Sequence, residues 1–318
     1  MKKLLALVII FLLLLFTARG WWSNQTGSVS DDKVTRTVVI AKGVSVEDIA
    51  DQLKNEGLIK SPLVFKLLVK QKNMGDKLQA GSFKLSPYMS LEEMINILSG
   101  GAVEVWVTLI EGWRVEEMAE ALSEKLKVKS EKFLTLAKEG YMFPDTYLFP
   151  NEITEEQIVR MMRDQFDKKY SDNLKAKIIS KGLSEKEGVI LASIVEREAR
   201  SDKARTEVAG ILLRRLNIDM GLNADATIQY ALGYQPDEKS WWKRHLTRDD
   251  LKVDSAYNTY IHKGLPPTPI CNPSLSALEA VANADPKTPY LYYYHDSKGN
   301  SHYAKTLEEH NENVANNP

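Results

Sequence analysis

The sequence predicts an α+β protein in three parts: an amino-terminal transmembrane anchor, a small α+β module, and a mostly helical domain closing on a small C-terminal β-hairpin. Three observations predict it. An apolar run, Leu4 to Ala18, follows Lys2 and Lys3. A strand, turn and helix pattern then occurs twice, with a third partial copy. Beyond Tyr141 the short alternating strands give way to long segments of helical periodicity. A chain of 318 residues carries a prior of two globular domains.

The anchor spans residues 1–22, with residues 4–22 as its contact with the lipid bilayer. The apolar run is shorter than the roughly 20 residues that cross a bilayer. Trp21 and Trp22, placed at a membrane interface, would extend it. A cleaved signal peptide and a buried core helix are the other readings. Residues Thr17 to Trp21 form a poor small-x-small cleavage site. Two lysines ahead of the run put the bulk of the chain outside the cytoplasm, so the expected location is the cell (inner) membrane, single-pass.

Residues 23–35 are polar and read as a tether. The module, residues 36–125, carries the repeat. Ile40 to Leu53, with Gly43 in its turn, returns as Leu109 to Leu122, with Gly112 at the same place, and the partial copy is Leu91 to Leu98. Ser45 and Ser90 stand as helix N-caps, each with an acid three residues on. Strands are expected at Arg36–Ile40, Gly81–Leu85 and Val103–Ile110. The remaining domain, residues 126–318, opens on an aromatic, proline-rich turn at Tyr141–Pro150. Helices are expected at Thr154–Tyr170, Asp172–Lys181, Ser184 to about Arg200, Ala204–Ile218, Ser274–Ala284 and Leu307–Val314. The hairpin strands are placed near Leu291–His295 and Ser301–Ala304.

Composition excludes several functions. Lys plus Arg number 42 against 43 for Asp plus Glu, a net charge of −1, so no nucleic-acid partner is expected. Cys271 is the single cysteine, and the five histidines, His245 to His310, contain no HExxH pair. No metal site and no cofactor are expected. A glycine-rich phosphate loop, a G-x-S-x-G elbow and an S-x-x-K motif are all missing.

The chemistry concentrates at Glu187–Arg200. At about 100° per residue, Leu191, Ile194 and Val195 form one apolar stripe with Glu198 in its middle. Glu196 falls on the other side, beside Ser193 and Arg200, as a solvated surface acid. Burial without a cation raises a carboxyl pKa and makes Glu198 suited to general-acid catalysis. Pairing of Glu198 with a buried Arg205 or Arg214 is the structural alternative. Two connecting segments, Asn223–Tyr230 with Asp225 and Thr227, and Ser255–Tyr260 with Tyr257, Asn258, Thr259 and Tyr260, offer flat faces and paired donors and acceptors that suit sugars. Trp241-Trp242 reads as a stacking platform or as a structural edge.

The turn-glycine and helix units resemble LysM modules, which lie along polymeric N-acetyl-sugars; a purely structural spacer is the alternative. The chain as a whole closely resembles the endolytic murein transglycosylase (YceG-like) family. The resemblance rests on Phe143-Pro-Asp-Thr-Tyr147, Leu191-Ala-Ser-Ile-Val-Glu-Arg-Glu198, Arg215-Leu216, Asp225-x-Thr227, Asp250-Leu251, Ser255–Tyr260, Gly264-Leu-Pro-Pro267 and Glu309-His-Asn311. Asn223, Ala226 and Thr268 depart from the family pattern.

The resemblance implies a lyase that cuts the MurNAc-β-1,4-GlcNAc bond inside nascent peptidoglycan glycan strands, leaving 1,6-anhydroMurNAc ends and limiting strand length. It implies Glu198 as the catalytic residue, Asp225, Thr227, Tyr257, Asn258, Thr259 and Tyr260 as substrate-binding candidates, and peptidoglycan synthases (penicillin-binding proteins) as neighbours. A muramidase-type hydrolase using Asp225 as a second acid and a non-enzymatic glycan-binding scaffold are the rival functions.

Overall fold

The computed structural model describes residues 2–100, 104–126, 128–151 and 153–317, with side chains described from residue 13 onward. The chain divides into two compact units, Met1–Val107 with Tyr147–Glu152, and Thr108–Thr146 with Ile153–Pro318.

The first unit begins with helix α1 (Lys2–Thr26). The expected transmembrane anchor is corrected here, because no helix among the described residues is long and apolar enough to cross a membrane. The helix outlasts its apolar run, and its last turns carry Arg19 and then Ser23, Asn24, Gln25 and Thr26. Trp22, assigned to a lipid interface by the sequence, instead packs against the core of this unit. Lys60 Nζ donates to the Asn24 carbonyl at 2.8 Å and to its Oδ1 at 3.1 Å, tying down the same helix end.

Strands β1 (Arg36–Ile40) and β2 (Gly81–Leu85) form where alternation predicts them and pair antiparallel, Val38 opposite Phe83. Val38 and Ile40 turn inward while Val39 faces out, the period-2 pattern of a half-buried sheet. Between the strands lie α2 (Val46–Asn55) and α3 (Pro62–Gln71), capped by Ser45 and Ser61. Ser45 and Asp48 bond reciprocally, as do Ser90 and Glu93 ahead of α4 (Leu91–Gly100). The third strand, β3 (Glu104–Thr108), begins inside the expected range, whose first residue, Val103, lies outside the described residues.

In the second unit, the other copy of the repeat continues as α5 (Val115–Lys125), followed by α6 (Ser130–Leu136). The turn glycines Gly43 and Gly112 both adopt positive φ, 85° and 74°, which is why the motif repeats glycine there. The segment Tyr141–Pro150, expected as a turn, supplies instead β4 (Thr146–Pro150), which from Tyr147 on is counted with the first unit. The sheet runs in the order β1-β2-β3-β4. Tyr147 and Phe149 are the buried residues of β4, so their alternation carried a strand signal that the prolines at 144 and 150 concealed.

The rest of the second unit is helical: α7 (Glu155–Lys169), α8 (Asp172–Ser180), α9 (Glu185–Glu198), α10 (Asp202–Asn217), α11 (Asp225–Leu232) and α12 (Leu275–Asn283). The hairpin β5 (Tyr292–His295) and β6 (Ser301–Ala304) follows, then α13 (Leu307–Asn316). Helix α9 is the central element: Val189 through Val195 are all buried, and α8, α10, α11 and α12 pack around it. Gly210 lets α10 approach the Asp285 backbone, since a Cβ there would sit 2.8 Å from its carbonyl oxygen. Trp241 and Trp242 sit against arginine side chains. Arg114 lies over Tyr230 and Trp241, Arg197 lies over Trp242, and the Trp242 indole donates to Glu117 at 2.9 Å.

Candidate active site

Helix α9 starts at a reciprocal Ser184–Glu187 cap and ends at Glu198, because Ala199 turns to extended backbone. The Ala199 carbonyl accepts from Arg205 Nε at 3.1 Å, so the helix end is clamped by the next helix. The last turn therefore presents Glu196 and Glu198 in fixed and different surroundings.

Glu196 is not the solvated acid that its side of the helix suggests. Its side chain is 4% exposed and pairs with Arg205 at 2.6 Å. The Ser274 amide donates to Oε2 at 2.8 Å, and the Ser274 hydroxyl bonds to the same oxygen. Arg205 also donates to Ser276 Oγ at 3.0 Å. The arginine that the sequence offered to Glu198 belongs to its neighbour. A carboxylate so occupied joins α9, α10 and α12.

Glu198 has a different environment. Tyr293, on β5, donates its hydroxyl to Glu198 Oε2 at 3.0 Å, and the Ala226 amide lies at a long 3.4 Å from Oε1. Burial pushes the carboxyl up to about 7; the Tyr293 hydrogen bond opposes the rise, and the nearby Asp225 charge adds to it. The group is thus divided between acid and carboxylate near neutrality.

A cleft of about 480 Å³ opens at Glu198, with Arg215, Asp225, Tyr260 and the β5 tyrosines in its wall. A second hollow of about 470 Å³ also has Glu198 in its lining, with Arg197, Arg200, Ser201, His295 and the hairpin turn. Glu198 and His295 line both, so open space extends to either side of the carboxyl.

Of the expected binding residues, Asp225 and Tyr260 reach this cleft, and they are bonded to each other, Tyr260 hydroxyl to Asp225 Oδ1 at 2.6 Å. Asp225 begins a helix, α11, where the sequence suggested a connecting segment. Thr227 and Thr259 are buried behind the wall, their hydroxyls 2.9 Å apart, and Thr259 Oγ1 accepts from the Ala224 amide at 3.0 Å. Asn258 is buried too, donating to the Leu251 and Val253 carbonyls at 3.0 and 2.8 Å. Tyr257 packs on Tyr230 and bonds Thr268 at 2.6 Å. Tyr257, Asn258 and Thr259 lie in the loop that carries Tyr260, Thr227 braces it from α11, and none of the four is among the residues lining the cleft.

Residues that sequence reasoning did not name as binding residues supply much of the wall. Tyr292, Tyr293, Tyr294 and His295 come from the hairpin, and Leu307 and His310 from α13. The signal present was the run Tyr292-Tyr-Tyr-His295, dense in polar aromatics for a strand. His295 Nδ1 shares a hydrogen bond with Ser301 Oγ at 2.9 Å, while its enclosed Nε2 has no hydrogen-bond partner among the described residues. Arg215, buried under the cleft, donates to the Leu291 and Leu222 carbonyls at 2.7 and 2.6 Å and so ties the hairpin to the loop before α11. No group of metal-ligating side chains is found among the described residues.

A helical domain that carries a protonatable carboxyl into an open, tyrosine-walled groove has the form of an acid–base enzyme acting on an extended polar substrate. The YceG-like family model matches residues 38–316, and the chain belongs to that family. It is 32% identical over 313 residues to the endolytic murein transglycosylase of Bacillus subtilis (strain 168), covering 88% of this chain and 84% of that relative. It is 31% identical over 364 residues to the protein of the same name from Streptococcus pneumoniae serotype 2 (strain D39), covering 98% of this chain but spanning 65% of the relative's length. A crystal structure of a YceG-like protein from Listeria monocytogenes superposes with a TM-score of 0.64 at 30% identity, covering 87% of this chain and 98% of that one.

Proposed function

We propose that this protein is a peptidoglycan lytic transglycosylase that cleaves within glycan strands, with Glu198 as its general acid and base. The observation that carries the assignment is the place of the Glu198 carboxyl, held by Tyr293 and lining a hollow on either side, where burial raises its pKa. Space on both sides suits an internal bond of a polymer. In the proposed reaction Glu198 passes its proton to the glycosidic oxygen as the C1–O bond breaks. The resulting carboxylate then takes the proton of the muramoyl 6-hydroxyl as that oxygen bonds to C1. The product is a 1,6-anhydro end, the acid is restored, and no water is consumed, so one carboxyl suffices where hydrolases use two. Asp225 and Tyr260, bonded to each other in the wall, are assigned to the sugar rather than to the proton.

The substrate places the work outside the cytoplasm, and peptidoglycan synthases are the partners that cutting new strands implies. A LysM-like role for the amino-terminal repeat would give the same polymer a second hold.

The test is to incubate the full-length chain with uncrosslinked peptidoglycan strands and identify the new sugar ends by mass spectrometry. Anhydro-muramic ends that vanish with Glu198→Gln are the expected result. Reducing ends would replace this reading with a hydrolase, and strands bound but uncut would replace it with a scaffold.

A further inference from the structure

Glu198 is met from several elements. Tyr293 and His295 come from β5, Asp225 from α11, Arg215 from α10, Tyr260 from the loop before the prolines, and Arg197 from its own helix. Among the described residues, two hydrogen bonds reach the carboxyl oxygens. One is the Tyr293 hydroxyl on Oε2 at 3.0 Å and the other the long Ala226 amide contact on Oε1 at 3.4 Å.

We propose that Tyr293 is the positioning residue of the acid: its hydroxyl holds Oε2, leaving Oε1 as the oxygen that gives up and takes back the proton. The inference rests on the reading of Glu198 as the acid. The phenol is well placed for the role. It is enclosed against the main core of the second unit, and burial pushes its own pKa well above the ordinary value, so it stays a donor across the working range of pH. It stands on a strand whose neighbouring carbonyl, Leu291, is held by Arg215 at 2.7 Å, so its approach to Glu198 is set by the backbone. A hydrogen bond donated to a carboxylate is stronger than one donated to the neutral acid, so Tyr293 favours the charged form and opposes burial. The tyrosine therefore both aims the carboxyl and keeps its proton available near neutrality.

The test follows the Glu198 carboxyl itself. In the full-length chain labelled with 13C-carboxyl glutamate, the Glu198 resonance is assigned by its loss in Glu198→Gln and titrated. Tyr293→Phe is expected to move its midpoint up by about one pH unit. The alkaline limb of the cleavage profile should move with it. Replacing Tyr293 by 3-fluorotyrosine, a stronger donor of the same shape, should move the midpoint down. A tyrosine that only fills space would leave the midpoint where it is, and an unmoved midpoint in both variants overturns the inference. Cleavage retained in Glu198→Gln would instead overturn the reading on which it rests, whatever the titration gives.

Discussion

The last turn of α9 has two sides, and they treat the same side chain in opposite ways. On the Arg205 side, Glu196 is surrounded by a guanidinium, an amide and a hydroxyl, all donating to it. On the cleft side, Glu198 is half-buried and receives one phenol and one distant amide. Enclosure alone does not make an acid. What separates the two is whether the donors around the carboxyl suffice to hold its charge, since an uncompensated buried carboxylate takes up a proton instead.

The comparison breaks most sharply at Glu198. Glu198→Gln keeps the shape and removes the proton, and loss of a positioned acid is expected to lower the rate of strand cleavage by about 10²–10⁴-fold with the fold unchanged. Mass spectrometry of anhydro ends and a melting curve read the two halves of that statement. Glu196→Ala should do the converse. It strands Arg205 in the interior, at a cost of about 3–5 kcal/mol, and a melting temperature lowered by about 10 °C is expected for a chain of this size. Activity measured well below that temperature should survive better than in Glu198→Gln.

A smaller effect tests the wall behind the cleft. Thr259→Val removes the acceptor of the Ala224 amide and the partner of Thr227, and should destabilise by about 1–3 kcal/mol in denaturant titration. The gentlest probe is pH. The Glu198 carboxyl has its folded value raised to about 7, so it holds the proton below that and loses it above. Cleavage is therefore expected to be full on the acid side and to fall about tenfold per unit as pH rises beyond 7, whereas a site dependent on an ionised carboxylate would gain activity over the same range.

Much of this was legible from the chain. The apolar stripe and the place of Glu198 within it follow from the 3.6-residue period, which one helix contains in full. The same wheel misread Glu196, because its partner, Arg205, belongs to another helix that folds back over the end of α9. The hairpin tyrosines were out of reach for a related reason: Tyr293 lies 95 residues from the carboxyl it touches. Thr227, Asn258 and Thr259 have the composition of a sugar site and the surroundings of a loop scaffold, and composition does not say which way a polar side chain turns. The amino terminus shows the same limit, since Trp22 reads as a lipid-facing residue until the core it packs against is folded.

By itself the sequence determined the local periods and caps, the repeat with its turn glycines, the family, and which of two glutamates stands among apolar residues. These are properties of short segments, set by backbone geometry and by the spacing of side chains along it. Only the tertiary structure decided which carboxyl keeps a cation, which keeps a proton, and which aromatic residues line the cleft. Charge state in an interior depends on the donors and charges that converge on a group, and at Glu198 the two hydrogen-bond donors come from β5 and α11, 95 and 28 residues away in the chain.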